Sequence, residues 1–256
     1  MRPPLPEALL HRPIAHRALH DRAARAPENS MPAVRAAIAA GYGIEIDLQP
    51  SADGEAMVFH DDDLDRLTHA RGSVRARRTA ELQSLRLRDC DEPIPTLAEV
   101  LAEVKGRVPL LIEIKDQSGR MGETDGVLEA ATARALADYA GPVAVMSFNP
   151  FSVGRMATLA PAVPRGLTTY AFPAEDFPNP LTPDQEAARR ALAEIADFDR
   201  VGASFISHHW RDLTRPRVTA LRDQGVPVLC WTIRSPEEEA TARKVAHNVT
   251  FEGYRA

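Results

Sequence analysis

The chain has 256 residues, 44% hydrophobic and 26% charged, with a formal net charge of −5. That suits one large or two small globular domains with a sizeable core, and the acidic balance argues against a general nucleic-acid binder. Only two cysteines occur, Cys90 and Cys230, in unlike contexts, which argues against a disulfide-stapled secreted domain.

No stretch approaches the ~20 apolar residues of a membrane span, and the N-terminal residues lack a signal-peptide core. A soluble cytoplasmic protein without stable membrane insertion is expected, with the Arg-rich run 71–78 as a solvated loop.

In chain order, the first strand candidate is PIAHR (13–17), followed by a helix over 31–40 that Ser30 caps and Gly41 stops. Strands then read at 44–49 (IEIDLQ) and 56–61 (AMVFHD), and helices at 79–85 and 97–104. Beyond that, strands at 109–115, 142–148, 166–170, 203–207 and 227–233 alternate with helices at 124–139, 150–159, 183–197, 213–224 and 236–246. Thr96 with Glu99, Thr182 with Gln185 and Ser235 with Glu238 have capping-box spacing, and Pro183 and Pro236 fall at the first helical position.

Eight strands alternating with helices predict a closed (β/α)8 TIM barrel, one domain over residues 1–256. An open doubly wound sheet would carry a glycine-rich phosphate loop after its first strand, which this chain lacks. Only PSADGE separates the second strand from the third, too short for a helical crossover. It reads either as a hairpin around Asp53-Gly54 or as a helix-less return that keeps both strands parallel. The parallel return is expected, because a hairpin is taken to carry the end of the third strand away from Asp47.

Alternation puts Ile44, Ile46 and Leu48 on one face and Glu45, Asp47 and Gln49 on the other, while Glu113 and Lys115 oppose Ile112 and Ile114. A parallel barrel strand is ordinarily apolar on both faces. Carboxylates near the C-terminal ends of two such strands fall where barrels carry active sites. Glu45, Asp47 and Glu113 are hard oxygen donors, so they are metal candidates for Mg²⁺ or Ca²⁺ rather than Zn²⁺.

His16 and His60 close the first and third strands, and a histidine pair titrating near neutrality suits general acid–base work. Arg17 and Lys115 add two fixed positive charges suited to a phosphate oxygen. Three carboxylates, one divalent cation, these two cations and a phosphodiester monoanion cancel in charge, which a dianionic monoester would not.

These residues resemble a known family, the glycerophosphodiester phosphodiesterases, in its bacterial cytosolic form. His16-Arg17, Pro27-Glu28-Asn29, Glu45-Ile46-Asp47, His60-Asp61 and Glu113-Ile114-Lys115 look like its HR, PEN, ELD, HD and EIK motifs, in order. SADG (51–54), LDRLT (64–68), IPTLAEVL (94–101) and Trp231-Thr232 look like further counterparts, and the resemblance spans roughly residues 12–252.

The resemblance implies a TIM barrel of the phospholipase-C-like type that uses one divalent cation to cleave glycerophosphodiesters into sn-glycerol 3-phosphate and an alcohol. It implies acid–base roles for His16 and His60, a metal on Glu45, Asp47 and Glu113, and phosphate contacts from Arg17 and Lys115. Glu28 matches a site residue, Asn29 shapes a loop, and Trp231 lines the substrate pocket. Hydrolysis through a cyclic phosphate, formed by the substrate's own 2-hydroxyl, is the mechanism expected.

Three departures bear on the pocket mouth: Ala18 replaces a usual glycine, the loop before Pro27 is longer than common, and Thr250-Phe251-Glu252-Gly253 stands where the family has threonine–aspartate. His208 and His209 follow the 203–207 strand and read as solvated loop histidines or as substrate contacts. Two other functions fit the residues: a barrel phosphodiesterase acting on lysophospholipid headgroups, for which 169–180 is the candidate apolar segment, and a non-catalytic phosphodiester-binding barrel. A binder would not need both histidines and all three carboxylates.

Overall fold

The computed structural model describes residues 2–178 and 180–256. Its strands are β1 (Ile14–Ala15), β2 (Gly43–Pro50), β3 (Ala56–Val58), β4 (Leu110–Ile114), β5 (Val143–Ser147), β6 (Arg165–Thr169), β7 (Phe205–His209), β8 (Val228–Ile233) and β9 (Asn248–Phe251). All but β3 are parallel, and β1 pairs with both β2 and β9, which closes an eight-stranded barrel.

The helices are α1 (Ala8–His11), α2 (Met31–Ala40), α3 (Thr79–Ser84), α4 (Leu97–Val104), α5 (Val127–Leu136), α6 (Pro150–Leu159), α7 (Pro183–Ala193), α8 (Pro216–Asp223) and α9 (Pro236–Ala242). None is long and apolar enough to cross a membrane. Ser30 accepts from the Ala33 N–H and Gly41 takes a left-handed conformation, so α2 begins and ends where its sequence sets its caps. Thr96 and Thr182 close reciprocal capping boxes. At α9 the pattern shifts by one residue: Ser235 accepts from Glu238, but the Glu238 carboxylate accepts from the Arg234 N–H.

Ile44, Ile46, Ile112, Ile206 and Cys230 belong to the apolar layer that also holds helix residues such as Val34 and Val218. A smaller cluster of Leu9, Ile14, Leu111, Ala144, Met146, Phe205 and Leu229 combines alternate strand residues with the N-terminal helix. A Cβ on Gly166 would lie 2.4 Å from the Phe205 ring, so only glycine lets that ring take its place. Cys90 and Cys230 are both buried and unpaired.

Two strand expectations are corrected. The last barrel strand is NVTF, which the strand reading passed over, and β3 lies outside the parallel barrel. β3 runs antiparallel to β2, with Leu48, Gln49 and Pro50 opposite Val58, Met57 and Ala56, so the hairpin at Asp53-Gly54 forms and the parallel return does not.

The reason is strand length. β1 covers only Gly43 and Ile44 of the eight-residue β2, which leaves the upper edge of β2 free for β3. The Phe59 N–H donates to the Asp47 carbonyl at 3.0 Å, so the returning chain comes back down to the barrel rim. Residues beyond it form an insertion whose Leu64, Leu67, Val74 and Leu82 pack with Met57 and Phe59 in a separate buried cluster.

Candidate active site

His16 enters this rim from below, one residue past β1, and His60 from above, two residues past β3. The two histidines therefore meet beside the same stretch of β2. With Arg17, Glu45, Asp47, Glu113, Lys115, Phe148, Thr168 and Trp231 they line a cavity of about 250 Å³. Glu45 and Asp47 are 1% exposed and Glu113 6%, and each offers an oxygen within 4.8 Å of the others. Two oxygens on a common Ca²⁺, each about 2.3–2.6 Å from it, lie at most about 5 Å apart.

The donor set therefore fits one divalent cation, and a further observation agrees. Glu45 Oε2 accepts from the Arg17 backbone N–H at 2.8 Å, but its buried Oε1 has no hydrogen-bond partner among the described residues. Burial, then the charges of Asp47 and Glu113, push the Glu45 carboxyl well above the usual range. Burial also acts against ionised Asp47, but Lys115, His60 and Arg17 outweigh it and hold that carboxyl low.

Asn29, expected to shape its loop, touches the cluster directly. Its Nδ2 donates to Asp47 Oδ2 at 2.8 Å and its Oδ1 accepts from the Asp47 N–H at 3.2 Å. It sits at φ 56°, a region asparagine enters more readily than most residues.

Each histidine has a carboxylate on Nδ1: Glu252 at 2.6 Å from His16 and Asp61 at 2.7 Å from His60. An ionised carboxylate only accepts, so Nδ1 carries the proton in both and Nε2 is left for other chemistry. Burial, reinforced by Lys115 and Arg17 against the pull of Asp47, lowers the pKa of His60.

Both cations are held by carboxylates of the site. Lys115 Nζ lies 2.7 Å from Asp47 Oδ1 and also bonds Glu113. Arg17 donates to Glu28 at 2.7 Å, while its buried Nε lies 3.7 Å from Asp47 Oδ2 and has no hydrogen-bond partner among the described residues. Glu252 went unread as a site residue because it meets His16 across 236 residues, and Arg66 because its bridge runs from nearby Asp61 to Glu28, 38 residues away. Glu28, Asp61, Arg66, Glu252 and Arg234 are further ionic groups around this mouth, so the balance of three carboxylates against Arg17, Lys115 and a metal is not the whole charge of the site.

Trp231 lines the cavity, donates to the Ser207 carbonyl at 2.9 Å, and meets the Phe148 ring edge-on at 5.4 Å. His208 and His209 lie within β7 rather than after it. His208 is fully buried, on the Ile206 side of the strand, with Nδ1 2.7 Å from Thr169 Oγ1. His209 packs edge-on to Trp231 at 5.2 Å. In the 169–180 segment Phe172 is 1% exposed and packs against Tyr170 and Phe177; Asn179 lies outside the described residues. Ala18 takes φ 65°, the conformation for which glycine is suited.

Residues 16–249 match the model of the glycerophosphoryl diester phosphodiesterase family. The chain belongs to this family. Relatives of this phosphodiesterase include YhdW of Bacillus subtilis (strain 168), 29% identical over 238 residues that cover 89% of this chain and 88% of that protein. A glycerophosphodiester phosphodiesterase of Caldanaerobacter subterraneus subsp. tengcongensis is 32% identical over 60% of this chain and 65% of that protein. Among solved structures, a phosphodiesterase from Oleispira antarctica in complex with the product sn-glycerol-3-phosphate superposes with a TM-score of 0.75. It is 25% identical, over 96% of this chain and 94% of that one.

Proposed function

We propose that this phosphodiesterase hydrolyses glycerophosphodiesters to sn-glycerol 3-phosphate and an alcohol. One observation carries the reading: three buried carboxylates and two carboxylate-backed histidines converge on one small cavity. At about 250 Å³ it falls below the roughly 300–1,000 Å³ of drug-sized pockets, which suits a polar headgroup better than a lipid chain. Buried, unpaired cysteines are in keeping with a reducing cytoplasmic setting.

In this reading Glu45, Asp47 and Glu113 hold one divalent cation, Mg²⁺ or Ca²⁺, which when bound supplies Lewis-acid stabilisation of phosphate oxygens. One histidine takes the proton of the glycerol 2-hydroxyl at Nε2 as that oxygen attacks phosphorus, and the other protonates the departing alcohol. Their roles reverse as water opens the cyclic phosphate. Glu252 and Asp61 hold the two rings in the tautomer this exchange requires. Arg17 Nε, which lies 3.7 Å from Asp47 Oδ2 without hydrogen-bonding to it, is placed to donate to a phosphate oxygen, and Glu28 holds the rest of its guanidinium. Lys115 offsets charge among the carboxylates, and Trp231 forms an apolar wall against the glycerol carbons.

The test is glycerol 3-phosphate release from glycerophosphocholine and glycerophosphoethanolamine by metal-stripped protein to which Mg²⁺ or Ca²⁺ is restored. Release that depends on the metal, and that His16→Ala and His60→Ala each abolish, is expected. No release with either metal would reject the reading. Turnover of bis(p-nitrophenyl) phosphate as fast as that of glycerophosphocholine would reject the cyclic route alone.

A further inference from the structure

The LDRLT segment (64–68) contributes a side chain that the proposed chemistry does not use. Leu64 and Leu67 are buried in the insertion's own core, and Arg66 between them reaches back toward the rim. Its guanidinium donates to both oxygens of Asp61, from Nε at 2.7 Å and Nη2 at 2.8 Å. It also donates to both oxygens of Glu28, from Nη1 and Nη2 at 2.8 Å each. Asp61 is the partner of His60 and Glu28 the partner of Arg17. One unbroken chain of charge-assisted hydrogen bonds thus runs His60–Asp61–Arg66–Glu28–Arg17.

We propose that Arg66 is a positioning residue that sets the imidazole of His60 and the guanidinium of Arg17 in register with each other, by clamping the carboxylate behind each. The proposal rests on the reading of His60 and Arg17 given above. His60 and Arg17 come from different loops, the β3 return and the segment after β1, and nothing in either loop alone aligns them.

The Arg66 side chain is 46% exposed, and an isolated ion pair with that exposure contributes little to stability. A guanidinium forked onto two carboxylates is the geometry in which direction matters more than stability. Lysine would keep the charge but presents a single point donor that cannot hold both pairs of oxygens.

Arg66→Lys and Arg66→Gln would be assayed for glycerol 3-phosphate release from glycerophosphocholine, with thermal melts on both variants and the double variant Arg66→Gln/Asp61→Asn. We expect kcat for Arg66→Gln to fall about 10–100-fold, the usual scale for removing an orienting partner. Lysine should rescue only part of that loss, and the melting temperature should stay within about 3 °C. With Asp61→Asn assayed alongside, the double variant should lose less than the two single losses multiply to, because the part that reaches His60 runs through the same carboxylate while the part that reaches Arg17 through Glu28 remains.

Long-range ¹H–¹⁵N spectra of the His60 ring supply a readout that needs no turnover. A single Nδ1–H tautomer in the wild type should become a mixture in Arg66→Gln. If the wild type releases no product yet its tautomer still depends on Arg66, the functional reading fails and the positioning role stands. Wild-type kcat, KM and tautomer in both variants would overturn the proposal.

Discussion

Asn29 and Glu45 show how much single side chains decide at this rim. Asn29 holds Asp47 by two hydrogen bonds, so Asn29→Ala should weaken Mg²⁺ or Ca²⁺ binding by about 10–100-fold, read by calorimetric titration of the metal-stripped protein. Glu45 is pressed against Asp47 and Glu113, and its folded pKa is raised above the ordinary 4.5. Its proton is thus held more tightly folded than unfolded. Stability from this group is complete below about pH 4.5 and is lost as pH rises through the folded value. Glu45→Gln removes that loss. In EDTA it should be more stable than wild type by about 1–3 kcal/mol, the scale for a buried unsatisfied group, with the gap opening as pH rises above about 4.5 in urea titrations. The same variant should lose the stabilisation that added metal gives the wild type. Glu45, Asp47 and Glu113 were legible because alternation marked polar residues on strands that should be apolar. Glu252 and Arg66 carried no such mark, since a carboxylate or guanidinium in a loop is ordinarily solvated.

At the scale of elements, the hairpin matters most. An eight-residue β2 overshoots a two-residue β1, and the edge left free is where β3 returns to bring His60 beside Asp47. The loop PSADGE had the composition of a hairpin, but the relative length of its neighbours decided where the third strand would end, and strand length is set by pairing. The last barrel strand was missed for a related reason. NVTF is four residues long with Asn248 and Thr250 on one side, and it becomes a strand only between β8 and β1. The insertion that carries His60, Asp61 and Arg66 depends on its own small core. Phe59→Ala empties a fully buried site there and should cost about 3–5 kcal/mol locally. On heating, activity should therefore be lost before the barrel's far-ultraviolet circular dichroism, a separation the wild type should lack.

For the whole molecule, the two ends of the barrel do different work. The rim bears the charged groups, while Leu9 of α1 joins Ile14, Leu111, Phe205 and Leu229 in the inner cluster, and Asn248 Nδ2 donates to the Leu9 and Arg12 carbonyls. Leu9→Ala should destabilise the fold by about 2–5 kcal/mol without changing metal affinity, as paired chemical denaturation and metal titration would show. The four-residue α1 is unreadable from local pattern because so short a helix is stable only against the barrel floor. By itself the sequence determined the alternation of strands and helices, most of the helix caps and the three carboxylates of the rim, all features that local periodicity and side-chain chemistry express. Tertiary structure alone decided the antiparallel return of β3, the closing strand, and which loop carboxylate stands behind which histidine. Those depend on contacts between residues far apart in the chain, such as His16 and Glu252, and no local spacing encodes which partners the closure of a barrel will bring together.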